Sequence, residues 1–177
     1  MKSPVLILMM LALSGCVAQQ KPAETPKPPT TMDWAGFAEA TEPGVWLGGQ
    51  PSEEAIDEFA ARGGRLVVNL RTDDEMAFFP YCERALAGRG MTYIRIPTRG
   101  SELDAAEYEA LEHAVAGHDG PVMLHCASGG RATYLWAMKR MRDEGVSAEQ
   151  AIVWCNERRE KPWEKGAEIL RAFEAGD

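Results

Sequence analysis

The sequence predicts an α/β fold in which a small, mainly parallel sheet of four or five strands carries helices on both faces. Two observations predict it. Residues 66–70 and 121–125 are almost uninterrupted apolar runs, typical of strands that are covered on both faces of a sheet. Such strands alternate with segments that carry helix start and stop signals, which is the order of a parallel sheet with helical crossovers.

Each predicted element has a local signal, in chain order. Residues 45–47 form a short apolar strand that Gly48 and Gly49 end. Ser52, followed by two acidic residues, begins a helix that stops at the glycine pair 63–64. The later elements are a strand at 66–70, a loop at 71–75, a helix to about 87, a strand at 92–96, a helix capped by Asp104 to about 116, a strand at 121–125, and helices at 131–143, 147–158 and 164–175.

Composition restricts the possible functions. The chain has 177 residues, enough for one domain with a tail, and a net charge of −8. Residues 32–177 carry 16 Lys and Arg against 26 Asp and Glu. We therefore expect no nucleic-acid partner, because phosphate backbones need clustered basic residues, and an anionic substrate must be held by local donors. The four cysteines are too scattered for a zinc site, and neither a metal nor a cofactor is predicted.

The N-terminal segment has the pattern of a secretion signal. Lys2 precedes the apolar run 5–13, which is too short to span a membrane and ends in Leu-Ser-Gly-Cys16. This pattern resembles the lipobox of bacterial lipoproteins, with an ordinary signal peptide as the alternative. It implies a lipoprotein signal peptide at 1–15, lipidation of Cys16 and a lipid anchor in the membrane. Val17 in place of Asp favours the outer membrane, so the protein is expected in the periplasm.

The segment after the signal divides the chain. Residues 16–31 are polar and rich in proline, and such a composition cannot bury enough surface to fold. We expect an extended tether there. The catalytic domain is predicted to occupy 32–177.

The chemistry concentrates at the end of the last strand, in His125-Cys126-Ala127-Ser128-Gly129-Gly130-Arg131. A strand that runs through a glycine-rich turn into a helix directs backbone N–H groups at one spot and makes an anion cradle. Arg131 adds a planar fork for two oxygens. Cys126 is the candidate nucleophile, because a helix N-terminus and a nearby cation favour the thiolate. His125 is expected to orient the turn.

The same residues resemble a known family. His125–Arg131 is similar to the phosphate-binding loop of cysteine-dependent protein tyrosine and dual-specificity phosphatases. Residues 45–52, 66–71 and 93–97 resemble a bacterial branch, the phosphatase-like domain found beside beta-lactamase-like hydrolases. The resemblance implies a protein tyrosine phosphatase-like fold. It also implies hydrolysis of a phosphate monoester, on protein phosphotyrosine or a small aryl phosphate, through a Cys126 thiophosphate.

The loop departs from that family in its length. Four residues separate Cys126 from Arg131 where the family has five, although Thr133 falls where the family keeps a hydroxyl residue. The phosphate-binding set implied by the resemblance is Ala127, Ser128, Gly129, Gly130, Arg131 and Thr133. A six-residue loop resembles that of rhodanese-type sulfurtransferases, so a persulfide on Cys126 and a sulfur-bearing anionic substrate form the alternative. A non-enzymatic anion-binding module is the third possibility.

The general acid is the second departure. The family places an Asp just after the strand that ends in Ile-Pro, and this sequence has none there. Glu102 and Asp104 are the candidates, although Asp104 is better explained as a helix cap. Asp73 and Asp74 are more distant possibilities.

Two further groups of residues are open to more than one interpretation. Cys82 and Cys155 either form a disulfide or are two buried thiols; burial is favoured, and Cys126 is expected to be the exposed thiol. Trp154 and Trp163, with the basic residues at 158, 159 and 161, are expected to form a helix-packing patch, with the rim of a substrate site as the alternative.

Overall fold

The computed structural model describes residues 30–77 and 82–176. The predicted signal peptide, the lipidation site at Cys16 and nearly all of the predicted tether lie outside these residues. Within them, no helix is long and apolar enough to cross a membrane.

A five-stranded sheet forms the centre of the fold, in the order β1-β2-β5-β3-β4. The strands are β1 (Ala38–Glu39), β2 (Val45–Gly48), β3 (Leu66–Asn69), β4 (Thr92–Arg95) and β5 (Val122–His125). All neighbours are parallel except β1 and β2. The predicted α/β class with a mainly parallel sheet is therefore confirmed. The two-residue strand β1 was not predicted, because so short a segment carries no periodic signal.

The helices follow the predicted order, with one correction at 71–75. They are α1 (Glu53–Ala61), α2 (Asp73–Met76), α3 (Cys82–Ala87), α4 (Ala105–Ala116), α5 (Gly130–Glu144), α6 (Ala148–Glu157) and α7 (Glu164–Ala175), with 3-10 turns at Trp34–Gly36 and Gly100–Glu102. The predicted loop at 71–75 contains most of α2. The physical reason is a capping box, in which Thr72 and Glu75 satisfy each other's backbone N–H groups.

Two hydrophobic clusters cover the two faces of the sheet. Alternate strand residues supply them: Val67 and Met123 face one cluster with α1, while Val68 and Leu124 face the other with α4 to α7. The core of α5 is fully buried, including Trp136. Helices on both faces, as predicted, fix the sheet from both sides.

The parallel register aligns the carboxyl ends of four strands. Gly48 pairs with His125, His125 with Asn69, and Asn69 with Arg95. The segments that follow these strands therefore meet at one edge of the sheet, which is where ligands bind in parallel α/β folds.

Candidate active site

The loop that carries Cys126 is held tightly between its neighbours. The Cys126 N–H donates to the carbonyl of Gly48 (3.2 Å), and the N–H of Gln50 donates to the carbonyl of Ala127 (3.2 Å). Gly129 ends the loop in the left-handed conformation, with φ of 91°, which glycine adopts without strain. The loop is thus braced by the segment after β2 and passes directly into α5.

Cys126 lies at the floor of a small cavity. Its side chain is nearly enclosed, because the residue is only 1% exposed, so the expectation of an exposed thiol is wrong. The cavity has a volume of about 220 Å³ and is lined by Gly100, Cys126, Ser128, Gly130, Arg131, Arg159 and Trp163. The N–H of Gly129 donates to the sulfur at 3.2 Å. Such a donor stabilises negative charge on the sulfur.

The cradle predicted at 126–131 depends on backbone N–H groups at the start of α5. The first N–H groups of α5, those of Gly130 and Arg131, have no intrahelical acceptor by position, and both residues line the cavity. The Thr133 hydroxyl instead donates to the Gly129 carbonyl at 2.9 Å. It therefore stabilises the first turn of α5, and Thr133 is not among the described residues that line the cavity at Cys126.

Arg131 is fixed by a carboxylate that the sequence analysis did not identify. Its Nη1 and Nη2 atoms donate to Glu75 Oε2 and Oε1 at 2.8 and 2.6 Å. Nη1 also donates to the carbonyls of Leu70 (3.1 Å) and Thr98 (2.6 Å). A guanidinium has five N–H groups, so these four acceptors leave Nε–H and one Nη2–H, which share an edge, and the Cys126 sulfur is also within hydrogen-bond reach of the guanidinium. That edge can grip two oxygens of an anion.

Charge reinforces this pairing. Burial by itself would raise the pKa of Glu75, but the hydrogen bonds from Arg131 and Thr72 and the positive charge of Arg131 outweigh it and lower the pKa to about 2. Burial likewise opposes the charge of Arg131, yet Glu75 and the Cys126 sulfur together raise the pKa of Arg131 above its usual value. Both groups stay charged at neutral pH. The capping box from Thr72 to Glu75 was the sequence signal that could have located this residue.

His125 supports the loop as an uncharged side chain. It is fully buried, and burial lowers its pKa to about 3. Its Nδ1 lies 3.4 Å from the Cys126 carbonyl, while Nε2 has no hydrogen-bond partner among the described residues. Arg71 is buried beside this loop, and its Nη2 donates to the Glu75 carbonyl at 2.8 Å. Both side chains brace the site from beneath.

The acidic candidates do not line the cavity at Cys126. Asp104 caps α4, accepting from the Ala106 N–H at 2.7 Å, which confirms its interpretation as a cap. Glu102 is exposed and pairs with Arg99.

The two aspartates on α2 point to other partners. Asp73 pairs with Arg95 at 2.8 Å, and Asp74 lies 4.0 Å from Arg99. Along the described lining of the cavity, neither Asp nor Glu occurs.

An aromatic wall and a second cation complete the cavity. The ring of Trp163 packs edge-on against Tyr134, with centroids 4.9 Å apart, and lies so close to Gly100 that a β-carbon there would be 3.2 Å from the ring. The Arg159 guanidinium lies against Gly130, where a β-carbon would be 2.5 Å from Nη1. Trp163 therefore belongs to the rim of the site, one of the two interpretations left open for it.

Cys155 is a free, buried thiol behind α5. Burial raises its pKa to about 12, so it stays protonated. The side chain of Cys82 lies outside the described residues. The interpretation of Cys155 as a buried thiol is confirmed.

Taken together, the parallel sheet and the loop that runs from Cys126 to the clamped Arg131 define a fold of the protein tyrosine phosphatase-like class. The family model of the beta-lactamase hydrolase-like protein, phosphatase-like domain, matches residues 42–142, more than half of the chain. The chain belongs to this family, and the resemblance noted in the sequence is confirmed.

Known proteins agree with this assignment. A beta-lactamase hydrolase-like protein of Xylella fastidiosa is 37% identical over 107 residues, which cover 59% of this chain and 25% of that protein. The chain thus spans about a quarter of that relative's length. The core catalytic domain of the PP-IP phosphatase Siw14 of S. cerevisiae, solved with citrate, superposes with a TM-score of 0.67 at 14% identity, over 83% of this chain and 87% of that one. TpbA of P. aeruginosa, solved with phosphotyrosine, has a TM-score of 0.60 at 17% identity, over 88% and 100%.

Proposed function

We propose that this protein hydrolyses phosphate monoesters of phenols, on protein phosphotyrosine or a small aryl phosphate, with Cys126 as nucleophile. The observation that carries the proposal is the cavity itself. A cysteine at its floor, the free edge of Arg131 and the ring of Trp163 surround a space without a carboxylate among its lining residues. A flat aromatic wall suits a phenyl ring, and aromatic pairs contribute beyond their buried area.

The reaction follows from the placement of the donors. The Cys126 sulfur attacks phosphorus, a sulfur–phosphorus bond forms, and the bond from phosphorus to the phenol oxygen breaks. The Nε–H and Nη2–H of Arg131 and the N–H groups at the start of α5 hold the phosphate oxygens as charge develops there. Water then attacks the thiophosphate, releases inorganic phosphate and restores the thiolate.

The lining of the cavity also sets the preferred leaving group. A general acid contributes about two to four orders of magnitude in rate, and it matters most for a poor leaving group. With Glu102 and Asp104 away from the cavity, a phenolate that leaves with little protonation is favoured over an alkoxide. This is why aryl esters are proposed in preference to alkyl phosphates.

A paired assay tests the proposal. Purified protein is given para-nitrophenyl phosphate and, separately, thiosulfate with a thiol acceptor, and the mass of the Cys126 peptide is measured after quenching. A phosphoryl adduct on this peptide together with turnover of the aryl phosphate supports the proposal. Cys126→Ser should abolish both, and the matched control Cys155→Ala should retain both. The short loop from Cys126 to Arg131 favours the sulfurtransferase alternative, and a persulfide adduct with thiosulfate turnover would establish it instead. Anion binding without either turnover would indicate a binding module.

The leaving-group argument has its own test. Glu102→Gln and Asp104→Asn are each assayed on a series of aryl phosphates of rising phenol pKa. We expect neither variant to lose turnover selectively on the poorest leaving groups. A selective loss of about a hundredfold or more in one variant would identify that residue as the general acid.

We also propose that the protein is a periplasmic lipoprotein held by Cys16, most consistent with the outer membrane. The support is the order of Lys2, the apolar run 5–13 and the small residues before Cys16. Labelling of the expressed protein with a radioactive fatty acid tests it. Label that Cys16→Ser abolishes supports the anchor, and label that persists in this variant contradicts it.

A further inference from the structure

A second, larger cavity adjoins the one at Cys126. It has a volume of about 450 Å³, and it shares Ser128 and Arg159 with the first. One side is formed by Gly48 and Gly129, which have no side chains to fill it. The two cavities therefore meet at the start of α5.

The other side of this second cavity is basic. The segment after α6 contributes Arg158, Arg159 and Lys161 to its lining, against one carboxylate, Glu160. This is unusual in a chain whose net charge is −8. A local concentration of cations beside an anion cradle favours a second anionic group.

The three cations differ in how far they are committed to other contacts. Arg158 is held by Trp154, with its guanidinium 4.1 Å from the ring centroid and Nη1 donating to the Trp154 carbonyl. Arg159 and Lys161 have no carboxylate partner among the residues the structure describes. The Nε of Arg159 donates to the Lys161 carbonyl at 3.3 Å, so the two side chains originate from one fixed turn.

Arg159 occupies the boundary between the cavities. A β-carbon at residue 130 would lie 2.5 Å from its Nη1, so the absence of a side chain on Gly130 lets the guanidinium approach this closely. The guanidinium thus borders the cradle itself while Lys161 lies in the second cavity only. Together they extend the positive surface away from Arg131 in one direction.

We propose that the second cavity binds a second anionic group of the same substrate, held by Arg159 and Lys161, so that the substrate class is a phosphate monoester with a further phosphate or carboxylate close to the scissile one. This inference rests on the proposed function for the identity of the first group. The two anions are joined in one molecule, so the second contact adds affinity without a second cost of association. A charge-assisted hydrogen bond at such a position corresponds to about a tenfold gain.

Phenyl phosphate and the benzene bisphosphates test the proposal by turnover. The 1,2-, 1,3- and 1,4-bisphosphates present the second phosphate at three different spacings from the scissile one. We expect at least one of them to have kcat/KM about tenfold above that of phenyl phosphate. The ratio should fall toward one in Arg159→Gln and in Lys161→Gln, and rise in Glu160→Gln. Lys165→Gln, which removes an exposed lysine paired with Glu168, is the matched control and should leave the ratio unchanged.

A binding measurement keeps this inference separate from the proposed function. Calorimetric titration with inorganic pyrophosphate and with inorganic phosphate needs no turnover, and the same Arg159, Lys161 and Lys165 variants apply. Tighter binding of pyrophosphate that depends on Arg159 and Lys161, without turnover of any ester, would support the second site and refute the phosphatase. Two outcomes would overturn the second site. The first is equal binding of the two anions together with equal kcat/KM for the mono- and bisphosphates. The second is a preference that survives in both Arg159→Gln and Lys161→Gln.

Discussion

Replacing Glu75 by Gln tests whether the clamp on Arg131 organises the site. The carboxylate accepts from both terminal nitrogens of Arg131, at 2.8 and 2.6 Å, and it comes from a chain segment 56 residues away. Glutamine keeps the shape and one acceptor oxygen, but its amide nitrogen faces a donor. The variant therefore removes the charge and one of the two hydrogen bonds and leaves the guanidinium between the carbonyls of Leu70 and Thr98.

The expected cost follows from the burial of the pair. The side chains of Arg131 and Glu75 are 11% and 30% exposed, between a surface pair and a fully buried one. Breaking a buried pair costs about 3 to 5 kcal/mol, and surface pairs contribute about 0 to 1 kcal/mol. We expect the variant to lose about 2 kcal/mol of the free energy of unfolding, between those limits. Since small misplacements of a binding group can cost up to a hundredfold, kcat/KM for aryl phosphate should fall by about ten- to a hundredfold.

The assay is urea unfolding together with aryl phosphate kinetics, with Asp73→Asn as the matched control. Asp73 lies on the same short helix and pairs with Arg95 at 2.8 Å, but it is 84% exposed, so its loss should cost less than about 0.5 kcal/mol. If Glu75→Gln is no less stable and no less active than Asp73→Asn, the clamp has no organising role.

The pH dependence gives a second check on the same pair. The folded-state pKa of Glu75 is about 2, below the ordinary 4.5, so the unfolded chain takes up the proton first. The stability that the carboxylate contributes is complete above pH 4.5 and is lost as the pH falls toward 2. The difference in the free energy of unfolding between wild type and Glu75→Gln should shrink in that window. A difference that grows on acidification would show that the sign is wrong.

Three other outcomes are expected. Burial holds the pKa of His125 at about 3, below the ordinary 6.5, so the stability that neutral His125 contributes is complete above pH 6.5 and has fallen by about 2 kcal/mol at pH 5. Urea unfolding at pH 5 and pH 7 measures this fall in the free energy of unfolding. An equal fall in His125→Gln would contradict the assignment to His125. Iodoacetamide should modify Cys126, and inorganic phosphate should slow this reaction. Cys155, whose pKa burial raises to about 12, should stay unmodified in the folded protein. Peptide mapping identifies the labelled cysteine, and label on Cys155 would show that Cys126 is not the reactive thiol. Gly48→Ala places a β-carbon 2.5 Å from the ring of Phe37 and should lower the free energy of unfolding by about 1 to 3 kcal/mol. Gly117→Ala is the control, because the space around Gly117 is open and its free energy of unfolding should not fall. Equal stability of the two variants would mean that the Phe37 ring moves aside without cost.

Local patterns were sufficient for much of the architecture. The apolar runs at 66–70 and 121–125 predicted the central strands, and Ser52 and Asp104 predicted where two helices begin. Each of these signals depends on residues within a few positions of each other, because strand alternation and helix capping are short-range properties. The proposed nucleophile belongs to the same category, since Cys126 to Arg131 is a single continuous segment.

The partners of those residues depend on the order of the strands, which no short segment encodes. Glu75 reaches Arg131 because β3 lies beside β5 in the sheet although the chain between them forms β4 and α4. The packing of α6 on α5 brings Arg159, which follows α6, against Gly130.

The sequence alone therefore determined the fold class and the family, and it located the candidate loop from Cys126 to Arg131, because the signals for all three reside in contiguous residues. Tertiary structure decided which carboxylate holds Arg131, that Glu102 and Asp104 do not line the described cavity at Cys126, and that two basic residues border a second cavity. Those contacts join segments tens of residues apart, and only the packing of helices on both faces of the sheet brings such segments together.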